Sequence, residues 1–282
     1  MEFLCIYHGN CADGFGSAWV VRKALKLRDD QLFAATHGDA PPDVTDKVVI
    51  IVDFSYKRPV LEQMAKDAQA ILILDHHKSA LEDLEGYPEP TQSKWVPLSG
   101  VYALFDMERS GAGICWDYFY PNTPRPQLIN HIEDRDLWRF QLEGTREIQA
   151  AIFSHPYDFG VWDRLMELPV EPLQEEGKAI ERKHHKDVAE LVNVTQRTMV
   201  LGGYAVPVAN LPYTIASDAG HMMADDAPFA ACYWDTPDGR VFSLRSVAAG
   251  VDVSKIAVGY GGGGHKNAAG FRMPIGWEGD EQ

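Results

Sequence analysis

Along the first half of the chain, short apolar runs alternate with longer stretches in which apolar positions recur every three or four residues. Residues 3–7, 48–52 and 71–74 form the runs; Val48-Val49-Ile50-Ile51-Val52 and Ile71-Leu72-Ile73-Leu74 are apolar at every position, as strands buried on both faces must be. Residues 14–27 and 60–68, lying between them, read as helices. The order is βαβαβ, which predicts a mostly parallel sheet with helices on both faces. A further strand is expected at residues 101–107, then a helix at 112–119 closed by Pro121, Pro124 and Pro126, then helical patterns containing Trp138 and Trp162.

From residue 174 to 199 the chain becomes polar and charged, with Glu181, Arg182, Lys183 and Lys186, and almost free of Gly and Pro. It reads as a long connecting helix. Beyond it, β-like runs at 204–208, 229–234 and 241–244 surround a turn at Pro237-Asp238-Gly239. The expected fold class is therefore α/β: a larger domain over residues 1–173, a linker helix over 174–199, and a smaller mixed α/β domain over 200–282. There is no internal repeat or low-complexity segment, only a polar tail after Trp277.

Length supports that division, because 282 residues that are 45% hydrophobic exceed the roughly 250 a single core serves efficiently. No apolar run approaches the roughly 20 residues of a membrane helix, and no basic region precedes an apolar segment at the N-terminus. A cytoplasmic location without a membrane partner is expected. Cys5, Cys11, Cys115 and Cys232 are scattered, which fits free thiols in a reducing compartment rather than a zinc finger or a disulfide framework. The formal charge of −15 disfavours a protein that coats long nucleic acid, yet clustered acids holding divalent cations reverse the sign locally. Short or small phosphorylated substrates remain open.

Those acids stand where the strands end. The run at 71–74 delivers Asp75-His76-His77, and the run at 48–52 ends in Asp53; the carboxyl edge of an open parallel sheet is where such folds keep their chemistry. A second pair, His184-His185, lies in a charge-rich helical stretch and reads as a solvated face. The turn after the first strand holds His8 and Asp13, with Gly14 and Gly16 for close backbone approach to a cation. Taken alone, Asp13 could simply cap the helix. Further on, Glu133, Asp134 and Asp136 add carboxylates. A mixed imidazole and carboxylate set suits Mn²⁺, with Mg²⁺, Co²⁺ or Zn²⁺ as alternatives, and two such ions about 3.5–4 Å apart activate water for attack on phosphorus. Near the C-terminus, Gly261-Gly262-Gly263-Gly264-His265-Lys266 and Arg245 read as a phosphate-binding loop and a bidentate phosphate ligand.

As an ordered set these residues resemble the DHH phosphoesterase superfamily with its C-terminal DHH-associated domain. The resemblance spans most of the chain, from the His/Asp turn through Asp53, Asp75-His76-His77, Asp136 and residues 243–246 to the glycine loop. It is nearest the oligoribonuclease and phosphodiesterase branch, because Asp136-Leu137-Trp138 resembles an Asp-Thr-Trp element found there. The resemblance implies two Mn²⁺ ions bridged by Asp53, one held by His8 and the other by Asp13, His76 and Asp136. His77 would position water or the scissile phosphate, and Asp75 would orient imidazoles from behind the ligands. Asp134 is the substitute for Asp136. Arg245, Gly262, Gly263, Gly264 and His265 would bind substrate phosphate across an interdomain cleft.

One position departs from the pattern. The family's first turn carries two acids separated by one residue before the glycine; here Cys11 stands in place of the first, and His8 is one residue out of phase. The first metal site is thus expected to be weaker, or to recruit Asn10 or the Cys11 thiolate. The expected activity is metal-dependent hydrolysis of short oligonucleotides or small nucleotide diesters to nucleoside monophosphates. The alternatives are a phosphoanhydride or monoester hydrolase (polyphosphate, pyrophosphate, 3′-phosphoadenosine nucleotide) and a nucleotide-sensing module without turnover. Oligomeric state is not encoded in any of these signals.

Overall fold

The computed structural model describes residues 2–36, 38–91 and 99–281, and the chain divides into two compact units, Met1–Glu181 and Arg182–Gln282. The first unit contains β1 (Glu2–His8), α1 (Ala12–Leu25), β2 (Leu32–Ala35), β3 (Lys47–Val52), α2 (Arg58–Asp67), β4 (Ala70–Asp75), α3 (Lys78–Asp83), β5 (Gly100–Phe105), α4 (Gly111–Phe119), α5 (Gln127–Asp136), α6 (Thr145–Phe153) and α7 (Phe159–Glu167). The described strands form a five-stranded sheet in the order β2-β1-β3-β4-β5, with every pairing parallel. This is the α/β architecture expected from the pattern.

Both faces of the sheet are covered, which is why the runs at 48–52 and 71–74 carry no polar position. Val48, Ile50, Val52, Leu72 and Leu74 pack with Phe15 and Trp19 of α1 and with α4 and α5. Val49, Ile51, Ile71 and Ile73 turn the other way, onto Leu61 and Met64 of α2. The strand order sets where chemistry can sit. From β1 the chain passes through α1 to β2, and from β3 it passes through α2 to β4 on the opposite side. The loops leaving β1 and β3 diverge, and ligands bind at such a switch point at the carboxyl ends of the strands.

The hydrophobic pattern does not predict β2. Its residues before Ala35 are partly buried or exposed, and the strand lies at the sheet edge, so it shows neither a full apolar run nor clean alternation. The first helix starts at Ala12 rather than near residue 14, and Lys26 ends it with a left-handed φ of 54°.

The helix α8 (Val170–Thr195) contains the division between the units, inside the stretch read as a linker. In the second unit follow β6 (Arg197–Leu201), β7 (Tyr204–Asn210), α9 (Tyr213–Ala224), β8 (Ala230–Thr236), β9 (Gly239–Arg245), α10 (Val253–Gly259), β10 (Gly263–Gly264) and β11 (Ala268–Met273). Its described strands form a six-stranded mixed sheet, β10-β11-β9-β8-β7-β6. Only β7 and β8 pair in parallel there, joined through α9 as a parallel connection requires. Val188 and Val192 of α8 are buried with Ala216 and Ala219 of α9. No helix among the described residues is long and apolar enough to cross a membrane.

Candidate metal centre

Asp53 is the residue around which the centre is organised. It follows the last residue of β3 with φ +50°, a left-handed conformation that costs a non-glycine residue roughly 1–3 kcal/mol and collects at functional sites. Its amide donates to the Leu74 carbonyl of the neighbouring strand at 3.0 Å, which holds the turn. The carboxylate then faces two ways. Oδ1 lies 3.0 Å from His76 Nε2. Oδ2 approaches His8 Nδ1 at 3.5 Å, beyond hydrogen-bonding geometry, and is buried without a hydrogen-bond partner.

On the His76 side, two more carboxylates arrive from distant segments. Asp13, in the first turn of α1, is buried, and its Oδ2 is 3.7 Å from His76 Nε2. Asp136, the last residue of α5, brings Oδ2 to 3.5 Å from the same nitrogen. Asp13 does not cap its own helix, whose N-cap is Cys11. Instead it accepts from the amides of Gly111 at 2.6 Å and Ala112 at 2.9 Å, so the positive end of α4 steadies its charge.

Gly111 makes this packing possible. A Cβ there would fall 2.6 Å from Asp53 Cβ and 2.9 Å from both Asp13 Oδ2 and Ser17 Oγ. Sequence reasoning missed it. Its signal was Ser110-Gly111-Ala112-Gly113, where two glycines follow a serine cap at the start of a helix and weaken that start without any helical benefit. Gly14, read as room for a cation, instead admits the end of β1: its Cβ would meet the His8 carbonyl oxygen at 2.2 Å. Gly16 faces Ala112, Ile132 and Trp162 and serves helix packing.

The charges do not balance within the protein. Burial and the nearby Asp53 and Asp136 charges push the Asp13 carboxyl well above its usual range. Asp136 is also raised, by burial first and with Asp53 adding to it. Burial opposes a charged His76, but Asp53, Asp136 and Asp13 overcome it and raise its pKa well above the ordinary imidazole value. For Asp53 burial is again the largest influence and is outweighed, here by the His76 and His8 contacts, so its carboxyl is held well below the usual range. Three crowded carboxylates in a poorly solvated place, one with a buried oxygen lacking a partner, are what a divalent cation relieves.

Within the first unit, three donor sets have all ligand atoms within 4.8 Å of one another: Asp13, His76 and Asp136; His8, Cys11 and Asp53; and Asp53, Asp75 and His77. The residues fit bound metal, and Asp53 belongs to two of the sets. Asp75 itself works from behind. Its Oδ1 accepts the amide of His76 at 2.8 Å and lies 2.7 Å from His77 Nδ1. Burial pushes its carboxyl up, but the charge and contact of His77 bring it below the ordinary range. The pair fixes the His77 ring with its Nδ1 side toward the acid, and the rings of His8 and His76 stand 6.0 and 5.0 Å away.

Comparison with solved structures decides the fold. The DHH domain of a member of a ribosomal-protein family superposes with a TM-score of 0.57 at 13% identity, covering 97% of this chain and 83% of that one. The fold is that of a DHH domain. RecJ of Thermus thermophilus, solved with Mn²⁺, shares the DHH fold at a TM-score of 0.50 and 13% identity, over 96% of this chain and 49% of RecJ. An uncharacterized protein of Acanthamoeba polyphaga mimivirus is 31% identical over an alignment of 295 positions that covers 94% of this chain. The chain spans 66% of that relative's length. No family model matches.

Within the DHH fold Asp75 ends β4 and His76 and His77 follow it, while Asp134 turns away from the centre. Its Oδ1 accepts from Gln141 N at 2.8 Å, and its Oδ2 from Leu142 N at 3.0 Å and Thr145 Oγ1 at 2.6 Å. Its place as a substitute for Asp136 is therefore corrected: it folds the loop between α5 and α6. Burial pushes its carboxyl up, but these donors outweigh burial and hold it below the usual range. A lowered folded pKa gives stability that is complete above the unfolded value of about 3.9 and fades as pH falls through the folded one. Asp134→Asn should accordingly lower Tm at neutral pH without altering metal content, and urea melts should show the gap to wild type closing below about pH 4.

The residues expected to bind phosphate lie in the second unit. Arg245, at the end of β9, donates to Ser243 Oγ at 3.0 Å, the Leu244 carbonyl at 2.8 Å and Ser217 Oγ at 2.8 Å. Gly263 and Gly264 pair with Gly270 and Ala269 as a short hairpin, and His265 N donates to the Ala268 carbonyl at 2.8 Å in its turn. A Cβ on Gly262 would lie 2.0 Å from the Gly270 carbonyl oxygen. Strand packing thus gives a reason for that glycine that needs no phosphate. His184, read as solvated, lies 2.9 Å from Asp218 Oδ2 on α9. Tyr260 stacks on Phe271 at 4.4 Å and Tyr233 on Phe242 at 5.4 Å, so both rings pack within the second unit.

Proposed function

We propose that the protein is a metal-dependent phosphodiesterase that hydrolyses short oligonucleotides, or small nucleotide diesters, to nucleoside monophosphates. What carries the reading is Asp53, whose two oxygens face two different donor sets at the carboxyl ends of β1, β3 and β4. A shared carboxylate between a nitrogen- and oxygen-rich pair of sites suits a pair of Mn²⁺ ions, with Mg²⁺ or Co²⁺ as substitutes. When bound, such a pair neutralises phosphoryl charge and makes water a nucleophile at neutral pH.

The protein's own groups would do the rest. Asp75 holds His77 by Nδ1, so the ring presents one tautomer and one orientation to the reacting phosphate or the attacking water. Asp13, steadied by the α4 amides, resists movement as charge develops. Substrate phosphate is assigned to Arg245, the Gly262–Gly264 segment and His265. The acidic body, with its −15 charge, favours short substrates over long polyanions. The Mn²⁺-bound RecJ structure, an exonuclease, supports the nucleotide class over others.

Incubating metal-stripped protein with Mn²⁺ and either a labelled dinucleotide or inorganic polyphosphate tests this directly. Faster release of monophosphate from the dinucleotide is expected; faster loss of polyphosphate would transfer the reading to a phosphoanhydride hydrolase. Absence of any metal-stimulated hydrolysis would remove the enzyme altogether and leave a nucleotide-binding module. Arg245→Ala should raise KM roughly 10–100-fold, the loss of a charge-assisted hydrogen bond worth about 1.5–3 kcal/mol, while kcat changes little.

A further inference from the structure

Cys11 occupies the N-cap of α1, a position that favours Ser, Thr, Asp or Asn because their side chains accept a helical N–H. Its side chain makes no capping hydrogen bond. Its ligand atom instead lies with those of His8 and Asp53, all within 4.8 Å of one another. Donors about a tetrahedral Zn²⁺, with bonds of ~2.3 Å to sulfur and ~2.0–2.1 Å to nitrogen, stand ~3.3–3.7 Å apart, and the His8 Nδ1 to Asp53 Oδ2 separation of 3.5 Å falls in that range. An independent observation points into the same place. Asp53 Oδ2, the oxygen on this side, is buried with no hydrogen-bond partner, on a residue that is only 1% exposed.

We propose that Cys11 is a metal ligand, and that with His8 and Asp53 it forms a sulfur, nitrogen and oxygen site for a thiophilic divalent ion such as Zn²⁺ or Co²⁺. The neighbouring Asp13, His76 and Asp136 set has no sulfur and keeps the harder preference for Mn²⁺ or Mg²⁺. The two positions, sharing Asp53, therefore take different metals. This rests on the two-site reading of the centre given above, but not on which phosphoester is cleaved. The remaining cysteines, Cys5, Cys115 and Cys232, are buried, in the apolar clusters of the two units.

The test is spectroscopic. Metal-stripped full-length protein is titrated with Co²⁺, and the near-ultraviolet thiolate-to-cobalt charge-transfer band is followed beside metal stoichiometry. Wild type should develop the band, and Cys11→Ser should lose it while still binding metal at the other site. Cys11→Ser should also weaken Zn²⁺ at one site by more than ~100-fold, the upper end of what losing a partner behind a ligand costs. Cys11→Asp supplies a hard donor at the same position, so the band should be absent and the ratio of Zn²⁺ to Mn²⁺ affinity at that site should fall. Circular dichroism of each variant guards against loss of fold, and either variant suffices for the test.

No band in wild type at full cobalt occupancy, or an undiminished band in Cys11→Ser, overturns the proposal and leaves the phosphodiesterase reading standing. A Cys11-dependent band in a protein that hydrolyses no phosphoester sustains this proposal and removes the other.

Discussion

Asp53→Ala is expected to reduce Mn²⁺-stimulated phosphodiester hydrolysis by at least ~10³-fold, because one carboxylate serves both donor sets and its loss disables them together. The expectation follows from geometry. Oδ1 faces His76 at 3.0 Å and Oδ2 faces His8 at 3.5 Å. Asp53→Asn separates charge from shape. It keeps the size of the side chain and an oxygen for His76 but not the second charged oxygen, so it should lose nearly as much activity. Metal content by mass spectrometry should fall in both variants. Activity above a tenth of wild type in Asp53→Asn at saturating Mn²⁺ would falsify the bridge.

Gly111→Ala should be the most damaging change at a position with no chemistry of its own. The added methyl would stand 2.6 Å from Asp53 Cβ and 2.9 Å from Asp13 Oδ2, and neither neighbour can yield cheaply. Asp53 sits in a left-handed turn tied to β4, and Asp13 is gripped by the amides of Gly111 and Ala112. Overpacking of this kind costs about 1–3 kcal/mol. The larger effect should be on turnover, since a displacement of about 1 Å among catalytic groups can cost roughly 100-fold. Thermal melts and steady-state rates measured on the same preparation check both parts. Wild-type kcat in a folded Gly111→Ala protein would show that α4 and the two acids are not rigidly coupled.

The two changes differ in how legible they were. Asp53 and Asp75 stood out because each ends an unbroken apolar run, and a run buried on both faces can accept a polar residue only past its end. His8 and Asp13 were readable for the same reason, as the first turn after the first strand. Asp134 and Asp136 could not be separated by pattern. Two residues apart on one helix, their side chains project about 200° apart, so one faces the centre while the other folds a loop, and the pattern does not say which. Gly111 lies 58 positions beyond Asp53 in the chain, with no local reason to associate them. The glycine run at 261–264 shows the opposite error, since an unusual composition has an ordinary packing cause in part.

From sequence alone came the α/β alternation, the acids and imidazoles at strand ends, the polar stretch near 174–199 and the mixed C-terminal unit, because hydrophobic period and chain breaks are local properties. Tertiary structure alone decided that Asp53 looks toward two donor sets, that Asp136 rather than Asp134 reaches His76, that α4 grips Asp13, and that the Cys11 thiol turns from its helix toward His8. Each of these depends on the direction of a side chain after distant segments pack, and direction is fixed by contacts that no single stretch of sequence contains.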